Sequence, residues 1–361
     1  MTVRSLESVS SFERGLGSAC TALRFGEGNL LAGSQEGALV CWSVDSGDEL
    51  WRVEVDGPIS DLALEGDRVY VAASSDLHVI DVGSGEVVWS HALEGASDYV
   101  RVYEGVIWAS SSVYEIEISD YTESTVWMFD SSGSLQQRWT FPERTWHLSL
   151  HDDGGVLLGL GRPRCGYLRI RGGEEAEHHD LKSGSPVTVG ACGSDGRFLV
   201  GHSDGSVSML SESGEVPGEV RSTQVRAICS SGRSWFSGHH SGEVVSSLGW
   251  VVSAPGAVQS LAPGPGATDG NGIWSTRWGG GGSRVEVLNA ADGSMALELE
   301  HPHRIRHIQS VGEIVALGDS EGRIHLIEKE VLSRRLRTDG DSDEDERRGR
   351  LMARLRKLRE G

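Results

Sequence analysis

The sequence predicts an all-β chain, one closed ring of small antiparallel sheets with four strands in each. Three observations carry this. A short apolar run ending in a small residue recurs eight times along the 361 residues. The copies are Leu30-Leu-Ala-Gly-Ser34, Val69-Tyr-Val-Ala-Ala73, Val106-Ile-Trp-Ala-Ser110, Val156-Leu-Leu-Gly-Leu160, Phe198-Leu-Val-Gly-His202, Ser234-Trp-Phe-Ser-Gly238, Gly272-Ile-Trp-Ser-Thr276 and Ile314-Val-Ala-Leu-Gly318. From Gly33 to Gly318 the spacing averages about 41 residues, the length of a unit of four short strands. The 49 glycines, against 11 Trp and 9 Pro, disfavour long helices, and no Gly-x-y period suggests a collagen-like chain. A four-stranded unit cannot bury both faces alone, so the units pack around an axis as the blades of a single β-propeller.

The elements follow in order. Val3 to Ser10 alternates weakly, and this strand, at about 3–10, is expected to close the last blade and remove an exposed edge. Units run Cys20 to Val55, Ile59 to Leu93, Tyr99 to Phe141, Trp146 to Leu181, Val187 to Val220, Val225 to Ser253, Val258 to Leu299 and Ile305 to Glu328. Tyr114 to Glu123 reads as an insertion in unit 3, and unit 7 has a Pro/Gly-rich stretch from Pro263 to Gly272. Unit 8 has no clear fourth strand of its own. Eight blades are expected, or seven if one unit is degenerate. The propeller is assigned to residues 1–330 and a charged tail to residues 331–361. Within the tail, Arg347 to Arg359 reads as a short amphipathic basic helix, with Leu351, Leu355 and Leu358 on one stripe.

Charge separates the two parts. The whole chain carries −20, whereas residues 331–361 hold ten basic and seven acidic residues, leaving −23 on the body. Thirty of the 33 basic residues are Arg. A body this acidic repels phosphate backbones, so no direct nucleic-acid binding is expected. No apolar stretch approaches the roughly 18 residues a membrane span needs. The first sixteen residues lack the apolar core of a secretory signal. The five Cys are scattered, with no C-x-x-C, and read as reduced thiols of a cytoplasmic protein without a zinc site.

Two groups of propellers resemble these repeats. Gly33-Ser-Gln-Glu-Gly37-Ala-Leu-Val-Cys-Trp42, Gly201-His-Ser-Asp-Gly205-Ser-Val and Gly318-Asp-Ser-Glu-Gly322-Arg-Ile resemble the turn and strand of WD repeats. His303, before Ile305, sits where those repeats often carry Gly-His. Ser46-Gly-Asp-Glu-Leu-Trp51 and Asp81-Val-Gly-Ser-Gly85-Glu-Val-Val-Trp89 resemble the repeat of quinoprotein-like (PQQ-like) propellers. That resemblance implies Trp docking on a glycine turn of a neighbouring blade, through Gly47, Trp51, Gly85 and Trp89. Asn289-Ala-Ala-Asp-Gly293 is followed by Leu297 in place of Trp, and Asp130-Ser-Ser-Gly133 by Trp139 two positions late. The quinoprotein enzymes use an adjacent Cys pair, which this chain lacks, so no cofactor is expected.

Apparent catalytic motifs resolve into turns. Gly201 to Gly205 and Gly318 to Gly322 match G-x-S-x-G, but a strand follows where a nucleophile elbow needs a helix. Gly279 to Gly282 lacks the Lys-Ser/Thr and helix of a phosphate loop. Asp339 to Asp345 begins like a calcium loop, yet has Glu344 at its sixth position and Arg350 at its twelfth. The histidines gather at His239-His240 and at His301, His303 and His307, and the expected role is solvated loop histidine. No catalytic, cofactor or metal residues are therefore assigned.

The reading is a non-catalytic cytoplasmic scaffold that binds proteins or peptides. Arg144, Trp146 and Trp250, near blade connections, are candidate anchors at the propeller faces. Leu351, Arg354, Leu355 and Leu358 are candidates in the tail helix. One alternative is an enzyme in the central channel, quinoprotein-like or hydrolase-like, which would need several ionisable groups converging on the axis. Another is an accessory subunit of an RNA-modifying or chromatin complex, which would need a basic face.

Overall fold

A computed structural model describes residues 4–337 except 194–195, 212–213, 219–220, 222 and 268–269. The chain forms eight antiparallel blades. Blade 1 joins Cys20–Phe25, Asn29–Ser34, Ala38–Ser43 and Glu49–Glu54, each strand pairing with the next. Blades 2 to 7 repeat this order and begin with Ile59–Glu65, Ala96–Tyr103, Thr145–Leu150, Val187–Cys192, Val225–Ser231 and Ala257–Pro265. Blade 8 has Ile305–Val311, Ile314–Asp319 and Arg323–Glu328. First strands of successive blades touch in an unbroken circuit, and that of blade 8 returns to that of blade 1. They surround the axis.

The small residue ending each apolar run has a steric cause. The second strand of one blade faces the first strand of the next. A Cβ on Gly33 would lie 2.5 Å from Ile59 Cγ2, and one on Gly238 would lie 2.3 Å from Val258 Cγ1. At the closing seam a Cβ on Gly318 would lie 2.3 Å from Cys20 Sγ. Convergence of the blades therefore depends on missing side chains, while the hydrophobic clusters fill the space between neighbouring sheets.

An N-terminal strand does close the ring, but it is Phe12–Gly15 rather than 3–10. It pairs antiparallel with Arg323–Glu328, Phe12 opposite Leu326 and Gly15 opposite Arg323. Arg4–Ser5 instead adds a short parallel strand to Met295–His301 of blade 7. Leu6–Val9 is one helical turn, with Ser5 Oγ accepting from the Ser8 amide at 3.3 Å. Leu6 and Val9 are spaced by three, not two, which suits a helical turn and buries both side chains. They share a core between blades 7 and 8 with Leu332. Residues 329–337 are helical, and Arg335 Nη1 donates to the Ser10 carbonyl at 2.5 Å. The proposed helix at 347–359 and the acidic run 339–345 lie outside the described residues.

Trp docking is present and recurs more widely than the repeat motifs indicate. The Trp51 indole donates to the Val82 carbonyl at 2.6 Å and lies on Gly85, whose φ is +75°. Trp89 lies on Gly133 in the same way. Trp139 donates to the Glu174 carbonyl of blade 4 at 2.8 Å. Gly47 takes Phe12 of the closing strand, not a Trp, and its carbonyl accepts from Arg14 Nε at 2.5 Å. Each of these contacts joins the outer strand of one blade to the outer turn of the next. The segment from Tyr114 to Glu123, expected as an insertion in unit 3, belongs to a lengthened hairpin, Val106–Glu115 paired with Asp120–Phe129 through to its tip.

Candidate protein-interaction site

The lengthened hairpin of blade 3 and the connection into blade 4 meet on one face of the ring. The hairpin strands have ten residues each, against six in blade 1, so its tip stands beyond the neighbouring turns. Tyr114, Ile116 and Ile118 alternate with Glu115 and Glu117. Ile116 is 83% exposed and Ile118 62%, far above an ordinary surface aliphatic. Ser119 takes a positive φ and its amide donates to the Ile116 carbonyl at 3.2 Å, which turns the chain. The Tyr114 and Tyr121 rings meet edge-on at 5.1 Å.

Beside the tip, Arg144 is held rigidly. Its guanidinium lies 3.6 Å from the centroid of Tyr121 and 4.5 Å from that of Trp146. Nη2 donates to Asp98 Oδ1 at 3.1 Å, while Nε and Nη1 have no hydrogen-bond partner. Burial raises the Asp98 pKa, and Arg144 and the Ser112 hydroxyl oppose that rise. Trp146 rests on Gly161, where a Cβ would lie 2.7 Å from the indole nitrogen. Its carbonyl accepts from the Tyr99 hydroxyl at 2.7 Å, yet the residue stays 38% exposed. Glu143, with its side chain fully buried, pairs with Arg164 at 2.6 Å and anchors the same connection. The result is a fixed aromatic–guanidinium stack next to two protruding isoleucines, with Glu115, Glu117, Asp120 and Glu123 around them.

The two other groups of candidates are placed differently. Trp250 is half-buried, its indole donating to the Ala290 carbonyl at 3.1 Å over Gly293. It docks blade 6 on blade 7, as Trp51 does for blades 1 and 2. Leu351, Arg354, Leu355 and Leu358 lie outside the described residues. Sequence reading missed Ile116, Ile118 and Tyr121. The alternation Tyr-Glu-Ile-Glu-Ile was the available signal, hidden because the segment was read as an insertion.

Ionisable groups also gather along the innermost strands. Asp61 of blade 2 pairs with Arg24 of blade 1 at 3.4 Å and with Arg101 of blade 3. His147 of blade 4 and His307 of blade 8 occupy the same position, just past a bulge. Burial, then Arg101, pushes the His147 pKa down to about 3, against a smaller pull from Asp61. Burial and Arg306 take His307 to about 4. Both rings are neutral near pH 7, and His147 shares a 2.5 Å hydrogen bond with the Ser149 hydroxyl. Arg226 and Arg306 act on Arg304, and burial followed by their repulsion lowers the Arg304 pKa.

Comparison with known proteins agrees with this architecture. The family model described as outer membrane protein assembly factor BamB (PQQ_2) matches residues 7–138. No curated protein matches the sequence. Among solved structures, the computationally designed Ika8 protein is similar with a TM-score of 0.70 and 18% identity, over 87% of this chain and 98% of that one. Saccharomyces cerevisiae Sqt1 is similar with a TM-score of 0.71 and 12% identity, over 89% and 98%. Repeats and fold together make the chain an eight-bladed β-propeller, and residues 7–138 are similar to the PQQ-like family model.

Proposed function

We propose that this propeller is a non-catalytic cytoplasmic scaffold that binds a protein partner on the face formed by blades 3 and 4. The observation that carries this is the hairpin tip, where Ile116 and Ile118 protrude beside the fixed Arg144–Trp146 stack. Protruding aliphatics with a preorganised aromatic and arginine neighbour are the composition of a binding hot spot. The acidic residues around them favour a segment that is basic and aliphatic. The Arg226, Arg304 and Arg306 cluster is a smaller feature, and it leaves the RNA-modifying or chromatin reading with little support. On the channel side, Asp61 is held between two guanidinium groups and both histidines are neutral and half-buried. Their low pKa values make both rings weak bases near pH 7, which supports the non-catalytic reading. Cytoplasmic placement rests on five free thiols, four of them buried. No described helix is long and apolar enough to cross a membrane.

The test is affinity capture from the native host with wild type, Ile116→Asp/Ile118→Asp and Trp146→Ala, with Leu248→Asp on another blade as control. A partner retained by wild type and control but reduced tenfold or more by both patch variants is the expected result. Equal recovery by all four, with unchanged melting, refutes the assignment of this face.

A further inference from the structure

We propose that Glu7, His301 and His325 form a binding site for one divalent transition-metal ion of the zinc type, which clips the N-terminal segment to the last two blades. One ligand atom from each lies within 4.8 Å of the others. The three residues come from three separate elements. Glu7 is on the helical turn Leu6–Val9, His301 ends Met295–His301 of blade 7, and His325 lies in Arg323–Glu328 of blade 8.

The hydrogen bonds fix which nitrogen of each ring is available. The Ser10 hydroxyl donates to the Leu6 carbonyl at 2.8 Å, since a carbonyl can only accept. Its 3.3 Å contact with His325 Nδ1 must therefore have the ring donating. That places the proton of a neutral His325 on Nδ1 and leaves Nε2 with a lone pair. The ring is fully buried, and Nε2 has no hydrogen-bond partner. A buried acceptor without a donor is costly, and a cation is a direct way to satisfy it.

His301 has the complementary arrangement. Its Nε2 lies 2.8 Å from Asp319 Oδ2, and its Nδ1 lies 2.7 Å from Glu7 Oε1. With Nε2–H donating to Asp319, Nδ1 is the metal-binding nitrogen. A ligating histidine whose other N–H is held by a carboxylate is the usual outer shell of zinc sites. Asp319 is itself fixed by the Glu321 and Arg323 amides, each at 2.8 Å. The His301 and His325 rings meet edge-on at 5.0 Å, which keeps both near one centre. Two imidazole nitrogens and one carboxylate oxygen suit zinc better than calcium or magnesium.

Bonds of about 2.0–2.2 Å in a tetrahedron separate ligand atoms by roughly 3.4 Å, so the Glu7–His301 pair at 2.7 Å must open and any pair near the 4.8 Å bound must close. The proton now shared between Glu7 and Nδ1 leaves to solvent. Glu7 can move, because its side chain is 33% exposed. A groove between Ser5, the Gly279 to Gly282 turn and Pro302 borders His301, whose ring is itself fully buried, so the ion would enter past the part-exposed Glu7.

The experiment uses the full chain. Zinc is added in excess, removed by gel filtration, and measured by plasma mass spectrometry, with melting curves before and after a chelator. The expected result is close to one zinc per chain and a melting temperature that falls on chelation. His325→Gln should hold less than a tenth of a zinc and should not respond to chelator. Asp319→Asn should weaken binding by about 10–100-fold, as loss of such a carboxylate partner does. A folded wild type with no stoichiometric zinc and no chelator effect overturns the proposal. So does full retention of zinc by folded His325→Gln, which would place the metal elsewhere.

Discussion

Removing residues 1–16 should bring the propeller close to unfolding, whereas removing residues 1–4 should cost little. The larger truncation takes away Phe12–Gly15, the closing strand, together with Leu6, Val9 and Leu16, whose exposures are 0%, 1% and 1%. Three fully buried side chains at about 1.5–3 kcal/mol each give roughly 5–9 kcal/mol. Loss of Phe12 from Gly47 and a newly open edge on blade 8 add to this. Domain stability is about 5–15 kcal/mol, so the loss is comparable with the whole. Removing residues 1–4 takes Arg4 from a two-residue parallel pairing and leaves the Ser5 cap in place. That should cost about 1 kcal/mol or less. Removing residues 1–10 should fall between, because Leu6 and Val9 go and the strand stays. Urea titrations followed by far-ultraviolet circular dichroism give the three values on one scale. A 1–16 deletion that melts cooperatively within two or three degrees of wild type would refute closure by this strand. Equal damage from the 1–4 deletion would shift the closure to the parallel pairing.

Gly85→Ala should destabilise by about 1–3 kcal/mol, because its φ is +75° and the new Cβ would lie 2.8 Å from the Trp51 ring. Gly83→Ala in the same turn, whose Cβ would meet Asp81 Oδ1 at 3.4 Å, should be near neutral, and chemical melts of the pair separate docking from general turn damage. Acidification should weaken the ring through His147. Its folded pKa, about 3, is below the unfolded value of roughly 6.5, so the unfolded chain binds the extra proton in that window. Its contribution is complete above pH 6.5 and is lost progressively down to about pH 3. His147→Gln should therefore lose less stability than wild type between pH 6.5 and 4, and parallel curves would show that the ring is not the titrating group.

Most of the fold was legible because the packing of each blade on the next is a repeated local problem. Gly33, Gly238 and Gly318 solve it identically, so a spacing pattern exposes them. Trp51 over Gly85 was legible for the same reason. Trp139 and Trp250 were harder, because both dock from positions outside the regular Gly-to-Trp interval. The N-terminal strand was misplaced because VRSLESVS was read at period two, while Leu6 and Val9 follow period three. Phe12–Gly15, with Phe12 and Arg14 the less exposed of each pair, carries the true alternation. His303 was expected to make the Gly-His contact, yet His301 reaches Asp319. Only the register of blade 7 against blade 8 decides between the two.

Departures from the repeat are where this chain's own properties lie. A blade needs a tight turn between its second and third strands, so ten-residue strands ending in exposed isoleucines serve no packing purpose in blade 3. The seam between blades 7 and 8 needs apolar contact, which Leu6, Val9 and Leu332 already supply. His301, Asp319 and His325, with the part-exposed Glu7, add polar groups there at a cost that apolar residues would avoid. Three of these polar residues engage one another in a chain of paired groups, and His325 leaves one nitrogen unmatched. An ordinary seam residue would have no reason to keep that lone pair, so the seam and the blade 3 hairpin are the two places where function is most directly tested.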